Sequence, residues 1–205
     1  MILAAGHGTR FAAAGGAGRK VLAPLRGRPV LAHTVGCAVQ AGLAPILIVM
    51  DPGLAEDPGL DAVLAGTGPA DVRRVINPRP EAGLGESLCV GLTALAADDG
   101  PDACVILLGD QPGIDPTVVE AVTTASLRSG LPARARYRDG AAHPVVLPRD
   151  LWADVIASVA GADRGAGHLL AGWETVDVDV DAFAPSDVDA PSDLRRIEAG
   201  PEDAP

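Results

Sequence analysis

The amino-terminal segment combines glycines and cations at a spacing that suits phosphate binding. Gly6 and Gly8 follow an apolar run at residues 2–5, and Arg10 and Lys20 come soon after. Glycines let backbone N–H groups approach phosphate oxygens, while the two cations supply the opposing charge. The segment lacks the Gly-Lys-Ser/Thr of a P-loop and the third glycine of a dinucleotide fingerprint. We therefore predict a triphosphate site of another type and disfavour a kinase or a standard NAD enzyme.

A second candidate group consists of two carboxylates that each follow a predicted strand. Asp110 comes directly after the apolar run at residues 105–108, with Gly109 and Pro112 fixing the backbone around it, and Asp189 follows the last strand signal. Two carboxylates can hold one Mg²⁺ and leave coordination positions open for phosphate. We predict a magnesium site; the alternative is that Asp110 merely caps the next turn.

Short Leu-rich or β-branched runs alternate with longer amphipathic stretches, which predicts strands that alternate with helices. This order is typical of an α/β fold, a Rossmann-like three-layer sandwich with a mainly parallel sheet covered by helices on both faces. Ligands of such sheets bind beyond the carboxyl ends of the strands, so we expect residues 6–10, 77, 83–87 and 109–112 to share one crevice. The predicted strands are 1–5, 45–50, 72–76, 103–108, 144–146 and 173–180. The predicted helices are 30–41, 59–65, 85–97, 116–129, 151–160 and 193–198. Residues 134–138 are interpreted as a polar segment.

Length and charge narrow the class of protein further. The 205 residues suit one core, and we predict a single domain over residues 1–198, followed by a frayed acidic tail at 199–205. Within it we expect a nucleotide-binding half at about 1–115 and an acceptor-binding half at about 116–198. The net charge of −11 argues against nucleic-acid or anionic-membrane partners, and no apolar run is long enough to cross a membrane, so we expect a cytoplasmic protein.

That charge also repels a triphosphate at long range, so a phosphate site must be locally basic and assisted by a divalent metal. The basic residues near the start of the chain are Arg10, Arg19 and Lys20. We expect these three to form the basic cluster of the site.

Several conspicuous side chains are predicted to pack or to face solvent rather than to react. Widely separated cysteines without metal-ligand spacing predict buried free thiols, with no disulfide or zinc site. The tryptophans are expected in the core, His33 on a helix face, and the aspartates of residues 177–181 in solvent. The cysteines and tryptophans are Cys37, Cys89, Cys104, Trp152 and Trp173.

A series of motifs occurs in order over residues 2–195. They are Leu-Ala-Ala-Gly-His-Gly-Thr-Arg from residue 3, Lys-Val-Leu-Ala-Pro-Leu-Arg-Gly-Arg-Pro from residue 20, Asn77 with Gly-Glu-Ser-Leu from residue 85, Gly-Asp-Gln-Pro from residue 109, Asp-Gly-x-x-His-Pro from residue 139 and Asp-Val-Asp-Ala-Pro-Ser-Asp-Leu from residue 187. With these motifs in this order, the chain resembles the MobA-like nucleotidyltransferase family. Within that family it is most similar to the molybdenum cofactor cytidylyltransferase branch.

The resemblance implies a role for each matching residue. Backbone atoms of the first motif line the base, its later residues meet the triphosphate, and the remaining motifs supply ribose, metal and acceptor contacts. The implied base-lining residues are Leu3, Ala4, Ala5 and Gly6; the triphosphate residues are Gly8, Arg10 and Lys20; the base and ribose contacts are Asn77, Gly85 and Ser87; the Mg²⁺ ligands are Asp110 and Asp189; and the residue near the acceptor is His143.

The resemblance implies an Mg²⁺-dependent enzyme that transfers CMP from CTP to a phosphorylated small molecule and releases pyrophosphate. The implied acceptor is the molybdopterin cofactor, and the implied recipient of the product is a molybdoenzyme. Ala-Ala-Gly at residues 4–6 favours CTP, since guanylyl-transferring relatives tend to carry Ala-Gly-Gly. Two alternatives stay open: an NAD(P)H-dependent oxidoreductase on the same scaffold, and a non-catalytic accessory protein that binds nucleotide or finished cofactor.

Three features depart from the family pattern. Residues 12–18 lengthen the link between Arg10 and Lys20, and Arg19 replaces the expected proline, so we expect a loose loop that closes only on nucleotide. Residues 162–167 lack the final arginine of a Gly-Asp-x-Gly-Ala-Arg segment, so we expect a different acceptor or a substitute in Arg164. The first strand begins at Met1, where relatives have more apolar residues, and we expect the natural start to lie upstream.

Overall fold

The computed structural model describes residues 1–68, 70–97, 100–159, 170 and 172–200. The strands are β1 (Ile2–Leu3), β2 (Pro24–Leu25), β3 (Arg28–Pro29), β4 (Ile46–Met50), β5 (Val72–Ile76), β6 (Ala103–Leu108), β7 (Ala133–Tyr137), β8 (Gly140–Pro148) and β9 (Val176–Asp179). The helices are α1 (Thr9–Ala13), α2 (Val30–Gln40), α3 (Pro52–Ala55), α4 (Gly59–Leu64), α5 (Leu84–Ala96), α6 (Pro116–Ser129), α7 (Trp152–Val159) and α8 (Pro191–Ala199), with one-turn 3-10 helices at Lys20–Leu22, Pro80–Ala82 and Arg149–Leu151.

A seven-stranded sheet in the order β5-β4-β1-β6-β8-β7-β9 forms the centre of the fold. Strands β1, β4, β5 and β6 pair in parallel, and β7 pairs in parallel with β9. Strand β8 runs antiparallel to both β6 and β7. The predicted α/β fold with a mainly parallel sheet is confirmed. Because the carboxyl ends of β1, β4, β5 and β6 lie at one edge, the loops that follow them meet there.

Helices cover both faces of this sheet. All five residues of β4 are buried, which is typical of a strand packed on two sides. Helices α2, α4 and α6 bury apolar side chains with one face of the sheet, whereas α5 and α7 bury theirs with the other. The tryptophans pack as predicted, and the cysteines are buried and free. No helix in the described ranges is long and apolar enough to cross a membrane.

The longer predicted elements agree closely with the structure, while the shortest elements were missed. The predicted bounds of β5, β6 and α6 match, and β8 is longer than the predicted strand at 144–146. The missed elements are α1, α3 and the antiparallel pair of β2 and β3. These elements span two to five residues and are too short to show a hydrophobic period.

The polar segment predicted at residues 134–138 is in fact strand β7, inside the sheet. Its alternate residues Ala133, Ala135 and Tyr137 are buried against the helices. The intervening Arg134 and Arg136 both donate to Asp177 of β9. The prediction that the aspartates of 177–181 are solvated is therefore wrong for Asp177. The sequence of β7 looks polar because its arginines are visible there, whereas their partner Asp177 is far away in the chain and becomes a neighbour only when β7 and β9 pair.

Within the glycine-rich link at residues 12–18, Gly16 packs on Phe11, while the other residues of the link are exposed. Helix α1 buries Phe11, and the Gly16 N–H donates to the Phe11 carbonyl oxygen at 2.9 Å. A Cβ at Gly16 would lie 2.2 Å from carbons of the Phe11 ring, so only glycine permits this contact. Gly16 anchors the link at Phe11, and the expectation that the loop closes only on nucleotide stays a prediction.

A third apolar cluster fixes the carboxyl-terminal segment to this region. Phe11, Leu25 and Val30 bury Val188, and α8 packs Leu194 and Ile197 against the same group. Helix α8 begins two residues before the predicted 193–198 helix and ends one residue after it. The segment at residues 162–167, His168 and the end of the acidic tail at 201–205 lie outside the described residues.

Candidate active site

A cleft of about 280 Å³ opens at the carboxyl ends of β1 and β6. The backbone that follows β1 forms one side, the first turn of α5 and the turn before it form another, and Lys20 faces them. This crevice contains residues from the predicted segments 6–10, 83–87 and 109–112. The lining residues are Leu3, Ala4, Ala5, Gly6, Lys20, Val21, Pro80, Gly83, Leu84, Ser87, Leu108 and Asp110.

Two glycines permit the close approach of the elements around the cleft. Gly8 has a φ of +63°, and a Cβ there would lie 3.1 Å from the Lys20 Cβ. A Cβ at Gly109 would lie 2.9 Å from the Ala4 Cβ and 3.0 Å from a Leu31 methyl group. Gly8 therefore brings the loop onto Lys20, and Gly109 lets the ends of β1 and β6 pack together.

The candidate cations and carboxylates form one cluster at the cleft. The Lys20 Nζ lies 2.6 Å from Asp110 Oδ2 and 3.3 Å from Asp189 Oδ1. Arg10 donates to the other oxygen of Asp189 at 2.7 Å, with its side chain 80% exposed. Burial alone would lower the pKa of Lys20, but the attraction of both carboxylates outweighs it and the pKa is raised. Lys20 is therefore a firmly held ammonium ion.

Backbone contacts hold Asp189 beside Asp110 although 79 positions separate them in the sequence. The Val188 N–H donates to the Asp110 carbonyl oxygen at 3.0 Å. Asp193 Oδ2 accepts from the N–H groups of Asp189 and Ala190 at 2.9 and 2.7 Å. The sequence motif included Asp193, but without the fold nothing assigned it this supporting role.

Asp187 lies next to the same cluster and was also missed as a site residue. It accepts from Gln111 Nε2 at 2.7 Å. Burial raises the pKa of Asp187 above its usual range, with repulsion from Asp110 and Asp189 adding to the effect. A signal was present in sequence, since Gln111 and Asp187 belong to two of the quoted motifs.

His143 is not among the residues that line the cleft. The residue is 9% exposed, and its Nε2 is buried without a hydrogen-bond partner. Burial lowers its pKa to about 4, although the negative charge of Asp110 opposes this. The Tyr137 hydroxyl donates to the His143 carbonyl oxygen at 3.1 Å and fixes the backbone. The ring is therefore neutral near neutral pH.

Of the residues expected at base and ribose, Ser87 lines the cleft, whereas Asn77 and Gly85 are buried behind it. Asn77 is fully buried and donates from Nδ2 to the Ser87 hydroxyl at 3.0 Å. Its side-chain oxygen accepts from the Arg79 N–H at 2.9 Å. In this structure Asn77 supports the wall of the cleft and does not face its interior.

Arg19 is not part of the basic cluster, which corrects the prediction that grouped it with Arg10 and Lys20. Its guanidinium lies 2.8 Å from Asp51 Oδ2 and 3.7 Å from Asp57 Oδ2. Asp51 is almost fully buried and also caps α3 by accepting from the Leu54 N–H. A buried carboxylate requires a positive partner, and Arg19 is the residue that supplies it.

The two carboxylates of the cluster fit a divalent cation. The described residues contain no group of three or more His, Cys, Asp or Glu side chains arranged around a common metal position. Mg²⁺ is nevertheless held in many sites by only one or two carboxylates together with water and phosphate. The Lys20 ammonium already lies between Asp110 and Asp189, so a positive charge is accommodated at that point.

The sequence matches the MobA-like NTP transferase domain over residues 1–178. The chain belongs to this family. A bifunctional protein GlmU of Sorangium cellulosum is 33% identical over 131 residues, which are 63% of this chain and 26% of that protein. A 3-deoxy-manno-octulosonate cytidylyltransferase of Rhodospirillum centenum is 33% identical over 112 residues, which are 54% of this chain and 40% of that protein. The chain thus spans about a quarter of the length of GlmU and two fifths of the cytidylyltransferase.

Solved structures of similar fold align with almost the whole length of this chain. Rv0371c of Mycobacterium tuberculosis has a TM-score of 0.78 and 26% identity, covering 97% of this chain and 95% of its own. A second crystal structure of Rv0371c, in complex with manganese, has a TM-score of 0.75 at the same identity, covering 97% of this chain and 96% of its own. The nucleotidyltransferase fold is therefore shown over nearly the full chain.

Proposed function

We propose that this protein is an Mg²⁺-dependent nucleotidyltransferase that transfers CMP from CTP to a phosphorylated small molecule. The observation that carries the proposal is the convergence of Asp110, Asp189, Lys20 and Arg10 at the end of a cleft floored by residues 3–6. Carboxylates for a metal and cations for phosphate are the groups that transfer of a nucleotidyl group requires. Membership in the MobA-like family supports the same reaction class.

Some residues of the site would bind the nucleotide, and others would stabilise charge during the reaction. The base would lie in the cleft against residues 3–6 and Ser87, with the triphosphate directed toward Gly8, Arg10 and Lys20. Asp110 and Asp189 would hold a divalent cation, which would neutralise charge on the triphosphate. Lys20 and Arg10 stabilise the charge that develops on the phosphate oxygens as pyrophosphate leaves. Residues 1–115 would thus bind the nucleotide and 116–198 the acceptor.

The acceptor needs no side chain to remove a proton. A phosphate oxygen of the acceptor attacks the α-phosphorus in line, and a phosphate is already ionised at neutral pH. The main task of the protein is to position the two substrates. This agrees with His143, whose ring is buried and neutral and therefore suited to hydrogen bonding rather than to charge stabilisation.

We propose CTP as the nucleotide and molybdopterin as the acceptor, with a molybdoenzyme receiving the product. The Ala-Ala-Gly sequence at residues 4–6 and the relative named as a cytidylyltransferase support CTP. The proposal of molybdopterin rests on the order of the sequence motifs. A sugar acid of the kind named for the Rhodospirillum relative is the competing acceptor, and it would attack through a hydroxyl that must lose its proton. Both are included in the assay for transfer.

The proposal is tested by thermal unfolding with CTP, GTP, ATP, UTP and NADPH, each with and without Mg²⁺. A ligand that binds only the folded state raises the unfolding midpoint by mass action. We expect CTP with Mg²⁺ to give the largest rise, and Asp110→Ala to abolish it. Asp102→Ala is the matched control, because Asp102 lies just before β6, at the end opposite the cleft.

The assay for transfer follows the release of pyrophosphate from CTP with molybdopterin or 3-deoxy-manno-octulosonate as acceptor. Release with molybdopterin, lost in Asp110→Ala and kept in Asp102→Ala, supports the proposed transfer to a phosphate. Release with 3-deoxy-manno-octulosonate alone would still show nucleotidyl transfer, but to a hydroxyl, and would contradict the phosphorylated acceptor. A midpoint shift with NADPH alone, independent of Mg²⁺, would contradict the proposal and favour an oxidoreductase.

A further inference from the structure

The cations expected to bind phosphate are paired with the carboxylates expected to bind metal. Lys20 contacts one oxygen of Asp110 and one of Asp189, and Arg10 contacts the second oxygen of Asp189. These four groups carry two positive and two negative charges and so balance one another without any ligand, with the Asp187 carboxyl group beside them. Each group thus already has the partner that a nucleotide or a metal would otherwise provide.

The ammonium of Lys20 fills the gap between the two carboxylates. Its Nζ lies 2.6 Å from Asp110 Oδ2 and 3.3 Å from Asp189 Oδ1. Mg²⁺ needs its oxygen ligands at about 2.0–2.1 Å. A cation bridging these same two oxygens would occupy nearly the same volume as Nζ and would meet its positive charge. The metal and the ammonium therefore exclude one another.

We propose that Lys20 is a resident counter-ion that competes with the metal for Asp110 and Asp189 until a nucleoside triphosphate draws it away. Metal and nucleotide then bind cooperatively, and the metal alone binds weakly. The inference rests on the proposed function, because it takes the triphosphate to be the ligand of the cleft.

Lys20 is placed to exchange partners within a short distance. It lines the cleft, so phosphate oxygens bound there lie within reach of its long, flexible side chain. The side chain is 13% exposed, so an ammonium that gave up both carboxylates without a new anion would be left poorly solvated. The triphosphate supplies that anion, which makes the exchange favourable only when nucleotide is present.

Thermodynamic linkage makes the coupling reciprocal. If nucleotide raises the affinity for metal by some factor, metal raises the affinity for nucleotide by the same factor. Removing the charge of Lys20 removes the competitor and should shift metal affinity in the absence of any nucleotide. If Lys20 only bound phosphate, metal affinity without nucleotide would not change, and if Lys20 only supported the fold, metal affinity would fall.

The test measures Mn²⁺ binding to the full chain by calorimetry and by the electron paramagnetic resonance signal of free Mn²⁺, without nucleotide. We expect Lys20→Met to bind Mn²⁺ at least about fivefold more tightly than wild type, which is the lower end of typical coupling factors. Arg128→Met is the matched control for net charge, because Arg128 lies in the last turn of α6 and does not line the cleft. It should leave Mn²⁺ affinity at the wild-type value.

A Lys20→Met variant that is folded by circular dichroism and binds Mn²⁺ no tighter than wild type overturns the inference. If that variant does not fold, Lys20→Gln is measured against the same criterion. Failure of the proposed function would appear separately, as a wild-type Mn²⁺ affinity that CTP, GTP, ATP and UTP all leave unchanged. The counter-ion role is judged without nucleotide, so the two failures are distinguishable.

Discussion

At the scale of single residues, the buried imidazole of His143 controls stability at acid pH. Its surroundings lower the pKa from the usual 6.5 to about 4, mainly through burial. The unfolded chain therefore binds a proton between these two values while the folded chain does not. Folding stability is unaffected by this group above about pH 6.5 and declines as pH falls toward 4. Each unit of pKa difference corresponds to about 1.4 kcal/mol.

We predict that His143→Gln removes most of this decline. Wild type should lose up to roughly 3 kcal/mol of unfolding free energy from this group between pH 6.5 and 4, and the variant should lose much less. Asp187 acts in the opposite direction, because its raised pKa lets the folded state take up a proton early. Urea unfolding at a series of pH values measures the slopes. Equal slopes for the two proteins would contradict the assignment.

At the same scale, Gly109 is predicted to tolerate no side chain. An added Cβ would come within 2.9 Å of the Ala4 Cβ and 3.0 Å of a Leu31 methyl group, where the ends of β1 and β6 meet. Gly109→Ala should destabilise the fold by about 1–3 kcal/mol, as overpacking of a core does. Denaturant unfolding of the variant provides the measurement.

Gly36→Ala is the matched control for Gly109→Ala. Gly36 lies inside α2, and its added Cβ would meet only the Arg28 guanidinium at an ordinary 3.5 Å. Alanine in a helix interior should be stabilising by about 0.5–1 kcal/mol relative to glycine. Two variants of equal stability would show that the contact at Gly109 relaxes without cost.

At the scale of elements, the carboxyl-terminal segment completes the candidate site. Val188 is fully buried among residues of α1, α2 and β2, and α8 packs beside it. The Val188 N–H donates to the carbonyl oxygen of Asp110. The Asp193 carboxylate of α8 accepts hydrogen bonds from the N–H groups of Asp189 and Ala190. The position of one proposed metal ligand therefore depends on a helix none of whose residues lines the cleft.

We predict that Asp193→Ala weakens the Mg²⁺-dependent binding of CTP by several-fold while the protein remains folded. Loss of the carboxylate frees the two amides and leaves Asp189 less ordered, at a cost of about 1 kcal/mol. Calorimetric titration of CTP with and without Mg²⁺ measures the effect. Arg196→Met is the control, since it removes only the exposed partner of the other Asp193 oxygen. Binding by Asp193→Ala equal to that of the control would show that Asp189 needs no support.

At the scale of the whole molecule, charge is distributed unevenly around the candidate site. The chain carries a net charge of −11, yet the cluster of Lys20, Arg10, Asp110 and Asp189 is neutral. An anionic nucleotide is therefore repelled by the molecule at a distance and bound by local groups at contact. Salt screens the distant interaction more strongly than the contacts.

We predict that CTP associates faster as ionic strength rises from low salt to about 0.15 M, where the screening length falls to about 8 Å. Stopped-flow measurement of the association rate constant in the presence of Mg²⁺ provides the test. Uncharged cytidine is the control and should show no dependence on salt. A rate that falls with salt would mean that the local cations, rather than the net charge, steer the nucleotide.

The sequence by itself determined the class of fold, because hydrophobic periodicity is local. The strand signals at residues 72–76 and 103–108 and the amphipathic helix at 116–129 have the predicted bounds in the structure. Gly6, Gly8 and Asp110 were also named from sequence because they come soon after strand signals, whereas Lys20 and Asp189 were named from charge and from the motifs around them. Their roles in catalysis stay predictions.

Only the tertiary structure decided which charges meet. Arg19 and Lys20 are adjacent in sequence, yet one pairs with Asp51 and the other with Asp110 and Asp189. Likewise, the sequence showed Arg134 and Arg136 only as part of a polar segment, whereas the structure pairs both with Asp177 of the neighbouring strand. Ion pairs depend on distances between residues far apart in the chain, and packing fixes those distances. A local pattern shows that a charge is present but not which partner neutralises it.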